Sequence, residues 1–298
     1  MNPACPHCVL PLNVRPERPT IVRFGFFRRR SDSRKIQRFR CLNCQKSFST
    51  ATFHPCFQQK KRHKNHKVRG LLCSGVSQRR IAQILCLHRI TIARKLVFLA
   101  QQAALQLEID QSTASKVEII EFDEQETFEH TKCKPLSVLT AVQYKTRKIL
   151  AIEVSQMPCR GRLAKTSLRK YGYRADHRTR GRRALFERLQ KQVVPWVHIK
   201  SDLNPHYVAD IRKFFPEARH SQFKGAPSAE TGQGELKKLK FDPLFSINHT
   251  LAKFRADISR LIRKTWCTTK KAEKLSLHLL IYAQFHNERL KKQVKKAS

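Results

Sequence analysis

The sequence predicts an α/β fold, a mixed sheet with helices, that follows two smaller modules. Two Cys-x-x-C pairs lie in the first 50 residues, and apolar residues at helical spacing follow from Val68. Beyond residue 112, apolar and β-branched runs alternate with amphipathic segments in the order strand, strand, strand, helix, strand, helix. We therefore expect domains at residues 1–55, 60–111 and 112–298.

The charge of the chain predicts a polyanionic partner. Its 298 residues carry 61 Lys and Arg against 22 Asp and Glu, a net charge of +39 that is spread over the chain. Phosphate contacts dominate the affinity of such proteins for nucleic acid. Structural nucleic-acid-binding proteins share this composition, so the charge does not by itself indicate an enzyme.

The chain shows no sign of a membrane or secretory destination. No apolar run approaches the ~18 residues of a membrane helix, and the N-terminus lacks the basic and apolar regions of a signal peptide. The ten cysteines are therefore expected in a reducing compartment, where metal binding or burial is expected before disulfides.

The first module is predicted to be a zinc ribbon. The pairs C-P-H-C (Cys5, Cys8) and C-L-N-C (Cys41, Cys44) can complete a tetrahedral Cys₄ shell for a structural Zn²⁺. Between them, I-V-R-F-G-F-F and K-I-Q-R-F-R-C alternate apolar and basic residues, which favours two strands joined by a basic loop. The alternative is four buried free cysteines, with His7 and His54 as substitute ligands.

The second module is predicted to be a helix-turn-helix. Gly75 can end a first helix, Ser77 can cap a second, and a third begins near Arg89 after the turn at residues 86–88. Ile84 is expected to face the core, and Cys86 to lie on an apolar face. The third helix is the candidate recognition helix for the major groove. Its outward residues are expected to be Arg89, Thr91, Arg94 and Lys95. The alternative is an ordinary basic helical hairpin.

Two aspartates at strand ends are the candidate catalytic residues. The run 117–122 ends at Asp123 within an acidic cluster, E-F-D-E-Q-E, and the run 197–200 is followed by Ser201 and Asp202. Burying a carboxylate is costly, so such acids usually have a metal or a basic partner. The alternative for the cluster is a strand end with solvated acids that pair with surface Lys and Arg.

The order of elements is that of the ribonuclease H-like fold, in which the first and fourth strands are neighbours. Asp123 and Asp202 are then expected side by side, where their charges repel unless a cation lies between them. Mg²⁺ or Mn²⁺ is the expected catalytic cofactor, because a pair of such ions can clamp the attacking and leaving oxygens of a phosphodiester.

The chain resembles the insertion-sequence transposases of the Asp-Asp-Glu superfamily, and among them the bacterial elements with an N-terminal zinc ribbon. The resemblance covers nearly the whole chain. It depends on both cysteine motifs, the helix-turn-helix, E-F-D-E, S-D-L-N-P-H-Y and the tail N-H-T-L-A-K-F-R-A-D-I-S-R-L-I-R-K-T-W. It implies that Asp123 and Asp202 take the two metal-ligating aspartate positions.

The third acidic position departs from that family. Seven residues before Arg255, where the family would place Glu, the chain has Asn248. Some related zinc-ribbon transposases use Asn there, and an amide oxygen is a weaker ligand for Mg²⁺; Asn248 could alternatively cap a helix. Glu235, 33 residues after Asp202, is a second candidate. Arg255 and Lys264 could hold DNA phosphates or form a solvated basic face.

The resemblance implies a DNA transposase that binds terminal inverted repeats and catalyses metal-dependent strand cleavage and transfer. Its partners would be double-stranded DNA, both element ends and target, and further copies of itself in a synaptic complex. Its location would be the bacterial cytoplasm, with the nucleoid. Two alternatives stay open: a catalytically inactive, transposase-derived regulator that binds DNA, and a related nuclease or resolvase.

Overall fold

The computed structural model describes residues 3–8, 21–30, 32–224, 242–262 and 266–297. The chain divides into two compact units, Met1–His66 and Lys67–Ser298. In the described segments, no helix combines the length and the apolar character needed to cross a membrane.

The first unit contains a three-stranded antiparallel sheet with the order β1-β2-β3. The two predicted strands are present as β1 (Ile21–Arg28) and β2 (Lys35–Cys41), and a short β3 (Ser47–Ser49) follows them. Phe39 and Phe48 pack with the cysteines in a small core on one face of this sheet. So small a core provides little hydrophobic stabilisation, which is typical of a domain that depends on a metal.

Three helices come next in the chain: α1 (Asn65–Leu72), within which the division at residue 66 falls, α2 (Gln78–Ile84) and α3 (Arg89–Ser112). As predicted, Ser77 caps α2 by accepting the backbone N–H of Arg80 at 3.3 Å. Cys86 lies in the turn between α2 and α3 with a positive φ of 51°. Its side chain is exposed, which corrects the expectation of an apolar environment.

Two further expectations for these helices are wrong. Ile84, expected in the core, is exposed. Lys95, expected to point outward, is only 2% exposed. The reason lies in the spacing along α3: Ile92, Leu96 and Leu99 are buried at i, i+4 and i+7, and Lys95 occupies the i+3 position of the same stripe.

The centre of the second unit is a mixed five-stranded sheet. Its strands are β4 (Val117–Phe128), β5 (Pro135–Gln143), β6 (Ile149–Gln156), β7 (Val193–Asp202) and β8 (Arg219–Phe223), in the order β6-β5-β4-β7-β8. β5 is antiparallel to β4 and β6, whereas β7 is parallel to β4 and β8. The first and fourth strands of this sheet are therefore neighbours, as the ribonuclease H-like order predicts.

Helices cover both faces of the sheet. They are α4 (Ala164–Tyr171), α5 (Arg178–Gln190), α6 (Pro205–Phe214), α7 (Phe245–Asp257) and α8 (Ala272–Ala297). On one face, α5 and α6 pack against Ile120 and Phe122. On the other, α7 and α8 share one core with α1–α3 and with Val138 and Val142 of β5. The helices before residue 112 thus share a core with the sheet, and the predicted domain limits stay predictions.

Helix α7 ends at Asp257. The backbone carbonyl of Asp257 accepts the N–H of Gly75 at 2.7 Å, and its carboxylate accepts the Tyr282 hydroxyl at 2.7 Å. Ile258 then takes an extended conformation and caps α7. The helix ends here because its last carbonyl and its last acid are both bound to other elements.

Candidate active site and metal centre

Four cysteines of the first unit are arranged for a tetrahedral metal ion. The sulfur atoms of Cys5, Cys8, Cys41 and Cys44 all lie within 4.8 Å of one another. The Cys5–Cys44 and Cys8–Cys41 sulfur distances are 3.7 and 3.6 Å. Sulfurs bound tetrahedrally to Zn²⁺ at ~2.3 Å are ~3.8 Å apart, so the cluster fits zinc, and the sulfurs are too far apart for disulfides.

Backbone hydrogen bonds already favour a thiolate in this cluster. The backbone N–H of Cys44 donates to the Cys41 sulfur and lowers the pKa of Cys41 to about 7. The hydrogen bond between the Cys8 and Cys41 sulfurs raises the pKa of Cys8 to about 12. Without metal, these two sulfurs therefore share a proton, and Zn²⁺ would displace it.

In the second unit, the strand register brings Asp123 and Asp202 together. Glu121 of β4 pairs with Lys200 of β7 in a parallel ladder. Asp123 and Asp202 each lie two residues further along their strands. Side chains of paired residues in neighbouring strands point to the same face, so the two carboxylates lie on one face of the sheet. Asp202 is the last residue of β7, as predicted, but β4 continues to Phe128, so the expectation that Asp123 ends its strand is wrong: Asp123 lies just beyond the stretch of β4 that pairs with β7.

Asp123 is held in a partly desolvated position. Its carboxylate accepts the backbone N–H of Glu124 at 2.6 Å. Burial raises the pKa of Asp123 from its ordinary 3.8 to about 6; the negative charge of Asp202 adds to the rise, and the positive charge of Arg255 opposes it. Asp202 lies at the entrance to α6, where its carboxylate accepts the backbone N–H of Asn204 at 3.3 Å.

A buried tyrosine lies beside these acids. Tyr207, in the first turn of α6, packs its ring 4.7 Å from that of Phe122 and is fully buried. Its hydroxyl has no hydrogen-bond partner among the described residues. Burial and the charges of Glu124, Asp202 and Asp123 raise the pKa of Tyr207, so the hydroxyl keeps its proton and stays a donor.

Helix α7 is anchored to β4 by Glu121. This residue is fully buried, and its carboxylate accepts the backbone N–H of Ile247 at 2.8 Å. Burial raises the pKa of Glu121, and the nearby charge of Asp242 adds to it. The sequence pattern grouped Glu121 with the solvated acids, whereas its contact fixes the start of α7 against β4.

Asn248, the candidate third position, lies in the first turns of α7 and is exposed. Its amide donates to the carboxylate of Asp242 at 2.9 Å. The same carboxylate accepts the backbone N–H of Leu244 at 2.9 Å. Asp242 thus provides the hydrogen-bond acceptor at the start of α7. The alternative of Asn248 as helix cap is therefore wrong. Asp242 was missed, although an acid just before an amphipathic run is a recognised sign of a helix start.

Two of the glutamates near Asp123, Glu124 and Glu129, lie close to arginines of α5 and of the segment before it. Arg178 lies 3.9 Å from Glu124, and Arg174 lies 4.0 Å from Glu129. Arg182 binds Asp210 at 2.6 Å. The side chains of these arginines are largely buried, and their ion pairs hold α5 and the segment before it in place. Asp123 and Asp202 are thereby distinguished from the rest of the acidic cluster.

The remaining predicted residues are placed as follows. Arg89 and Arg94 are exposed, Thr91 is half-buried and Lys95 is buried. Arg255, on α7, is close enough to Asp123 to lower its pKa. Glu235 and Lys264 lie outside the described residues.

The acidic pair offers part of a magnesium site. Among the described residues, only the four cysteines bring three or more metal-binding side chains close together. Mg²⁺, however, is commonly held by one or two carboxylates, with waters and substrate phosphates as its other ligands. The buried hydroxyl of Thr140, which is paired with Asp123 in β5, has no hydrogen-bond partner among the described residues. Two carboxylates and an unpartnered hydroxyl on one face are a donor set that fits a hydrated Mg²⁺.

The raised pKa of Asp123 predicts a pH-dependent stability. Between its ordinary pKa of 3.8 and about 6, the folded protein keeps the proton that the unfolded chain has lost. The free energy of unfolding of protein prepared without Mg²⁺ should therefore fall as pH rises through this range, by up to about 3 kcal/mol. Asp123→Asn removes the free-energy cost of ionising a buried carboxylate, so this variant should be more stable than the wild type at pH values above the range.

Urea denaturation of zinc-loaded protein at a series of pH values measures this effect. Glu118→Gln, on the same strand but exposed, is the matched control and should follow the wild-type curve. Parallel curves for Asp123→Asn and the wild type would contradict the prediction.

Comparison with known proteins gives only distant likenesses. No protein-family model and no curated protein matches this sequence. The fold is similar to the catalytic domain of Mos1 mariner transposase, at 15% identity over 68% of this chain and 93% of that one, with a TM-score of 0.28. The Mos1 strand transfer complex gives 13% identity over 80% and 79%, with a TM-score of 0.24.

A third similar structure is the simian T-cell lymphotropic virus intasome in complex with a PP2A regulatory subunit. It is 13% identical over 71% of this chain and 64% of that one, with a TM-score of 0.22. TM-scores this low establish no common function, so the function has to be inferred from the chain's own residues.

Proposed function

We propose that the chain is a DNA transposase that binds the terminal inverted repeats of its element and catalyses metal-dependent cleavage and transfer of DNA strands. The observation that carries this proposal is the pair Asp123 and Asp202 on one face of two neighbouring parallel strands, where β4 leaves its pairing with β7. The net charge of +39 supports a nucleic acid as the substrate.

Asp123 and Asp202 would hold Mg²⁺ or Mn²⁺ and orient it toward the scissile phosphodiester. When bound, the ion would activate the attacking oxygen and stabilise the leaving one. The positive charge of Arg255 lies on the same side and is suited to a phosphate.

Duplex recognition is assigned to α2, the turn and α3 acting as a helix-turn-helix. Arg89, Thr91 and Arg94 are the proposed contacts in the major groove, and Lys95 is withdrawn because it is buried. Lys264 stays a proposed phosphate contact. The ribbon would hold Zn²⁺, and the chain would act as a homo-oligomer in a synaptic complex near the bacterial nucleoid.

A catalytically inactive DNA-binding regulator is the second candidate, and Asn248 favours it. An amide that donates to Asp242 presents no third carboxylate to the pair, so metal binding would be weaker. Glu235 stays the alternative third acid. A related nuclease or resolvase would use the same pair without joining strands.

Incubating the purified full-length chain with labelled element ends and Mg²⁺ or Mn²⁺ tests these candidates. Joined products support a transposase, and cleavage without joining supports a nuclease or resolvase. Binding alone with either ion supports the regulator and contradicts the proposal. Inverted repeats in the DNA that flanks the gene would provide the correct ends for the assay.

A further inference from the structure

The first unit has an exposed apolar and aromatic sheet face that zinc binding does not use. In the β1–β2 ladder, Arg23 pairs with Phe39, on the face that holds the cysteines. Val22 pairs with Arg40 on the opposite face. We call this opposite side the open face of the ribbon; it is formed by Val22, Phe24, Phe27, Arg38 and Arg40, together with the buried Ile36.

A bulge in β1 brings a second aromatic ring to the open face. Arg23 and Phe26 are three positions apart on β1, while their partners Phe39 and Gln37 are two positions apart on β2. Gly25 takes the positive φ of 68° that such an irregularity requires. With the extra residue, Phe27 pairs with Ile36 and joins Phe24 on the open face.

The aromatic rings of the open face are exposed, although the first unit has few apolar residues in its core. Phe24 is 42% and Phe27 40% exposed, and Val22 beside them is 36% exposed. The guanidinium groups of Arg38 and Arg40 lie over the Phe24 ring, 5.0 and 5.7 Å from its centroid. Aromatic rings and guanidinium planes on a sheet both provide stacking surfaces for unpaired bases, and the arginines also provide positive charge for their phosphates.

The charge of the unit selects an anionic partner. Asp32 is the only acid among the described residues of the unit. Hydrogen bonds from Arg29 lower its pKa, and Arg62 also binds it, at 3.2 Å. The open face itself therefore carries positive charges with no acid among the residues that form it.

We infer that the open face of the ribbon binds single-stranded DNA, whose bases stack on Phe24 and Phe27 while Arg38 and Arg40 contact its phosphates. In a duplex, the base faces are already stacked on one another and could not cover these rings. This activity goes beyond the proposed transposase reaction and does not depend on the acidic pair.

Fluorescence anisotropy with the zinc-loaded full-length chain tests the inference. The probes are a labelled oligothymidylate and a duplex of the same length. Phe24→Leu with Phe27→Leu keeps apolar side chains but removes both rings. We expect about tenfold weaker binding of the single strand and duplex binding within about twofold of wild type. Phe57→Leu removes another exposed ring outside the sheet and should change neither affinity.

Unchanged single-strand affinity in the double variant would overturn the inference. An equal loss of both affinities, or of zinc, would overturn it too, because it would indicate a general effect on charge or folding. The alternative is that the rings bind a second copy of the chain. In that case the molecular mass of the wild-type protein in solution will rise with protein concentration, and the affinity for the single strand will not change in the double variant. As a second measurement, photocrosslinking with 5-iododeoxyuridine in the oligonucleotide should attach it to Phe24 or Phe27.

Discussion

Asp123→Asn is expected to reduce strand cleavage by at least about a thousandfold, equivalent to about 4 kcal/mol of transition-state stabilisation, and Asp202→Asn should do the same. Both residues lie on one face of neighbouring parallel strands, and burial together with the negative charge of Asp202 raises the pKa of Asp123. An amide has the same shape as the carboxylate but no charge. The pair would therefore lose one of its two negative charges and bind Mg²⁺ more weakly. Single-turnover cleavage of a labelled element end measures the effect.

Binding to duplex DNA should be unchanged in both variants, because the proposed duplex contacts lie on α3. Glu118→Gln, an exposed acid of the same strand, is the control and should cleave at the wild-type rate. Cleavage that survives in either aspartate variant would refute the assignment of the pair. Lost cleavage together with lost duplex binding would also contradict it, since the defect would then be one of folding.

The adjacency of the two aspartates could be predicted because it depends on strand order. Each follows a run of apolar residues with a clear strand pattern, and the order of elements places the first strand beside the fourth. The edge strand β8 was not predicted. Its sequence, R-H-S-Q-F, has one apolar residue, and its pairing is supplied by β7 rather than by a buried face of its own.

The roles of individual polar residues could be predicted far less well. Glu121 and Glu124 stand three residues apart in one acidic cluster, yet one holds the backbone of α7 and the other lies near Arg178. Asn248 interacts with Asp242, and Lys95 is buried on α3. These outcomes depend on which helices pack against the sheet, and a local sequence pattern does not contain that information.

Removing zinc, or replacing Cys41 with serine, is expected to unfold the first unit. Its described core consists of Phe39, Phe48 and the cysteines themselves, so the metal replaces the hydrophobic stabilisation that a larger domain would have. Structural zinc sites typically contribute ~10–16 kcal/mol of apparent binding free energy. Loss of that contribution exceeds the stability of any domain of this size.

Limited proteolysis with zinc quantification measures this outcome. In Cys41→Ser, the region before residue 67 should become rapidly cleaved, whereas the second unit should resist, because its core contains no zinc ligand. Cys86→Ser is the matched control: this cysteine is exposed in the turn before α3, and its loss should leave zinc content and proteolysis unchanged. A Cys41→Ser protein that keeps its full zinc content and its resistance to proteolysis would show that Cys41 is not a ligand.

Unfolding the ribbon should also abolish the preference for single-stranded DNA, because the open face lies on the same sheet as the cysteines. The acidic pair, which lies in the second unit, should stay intact.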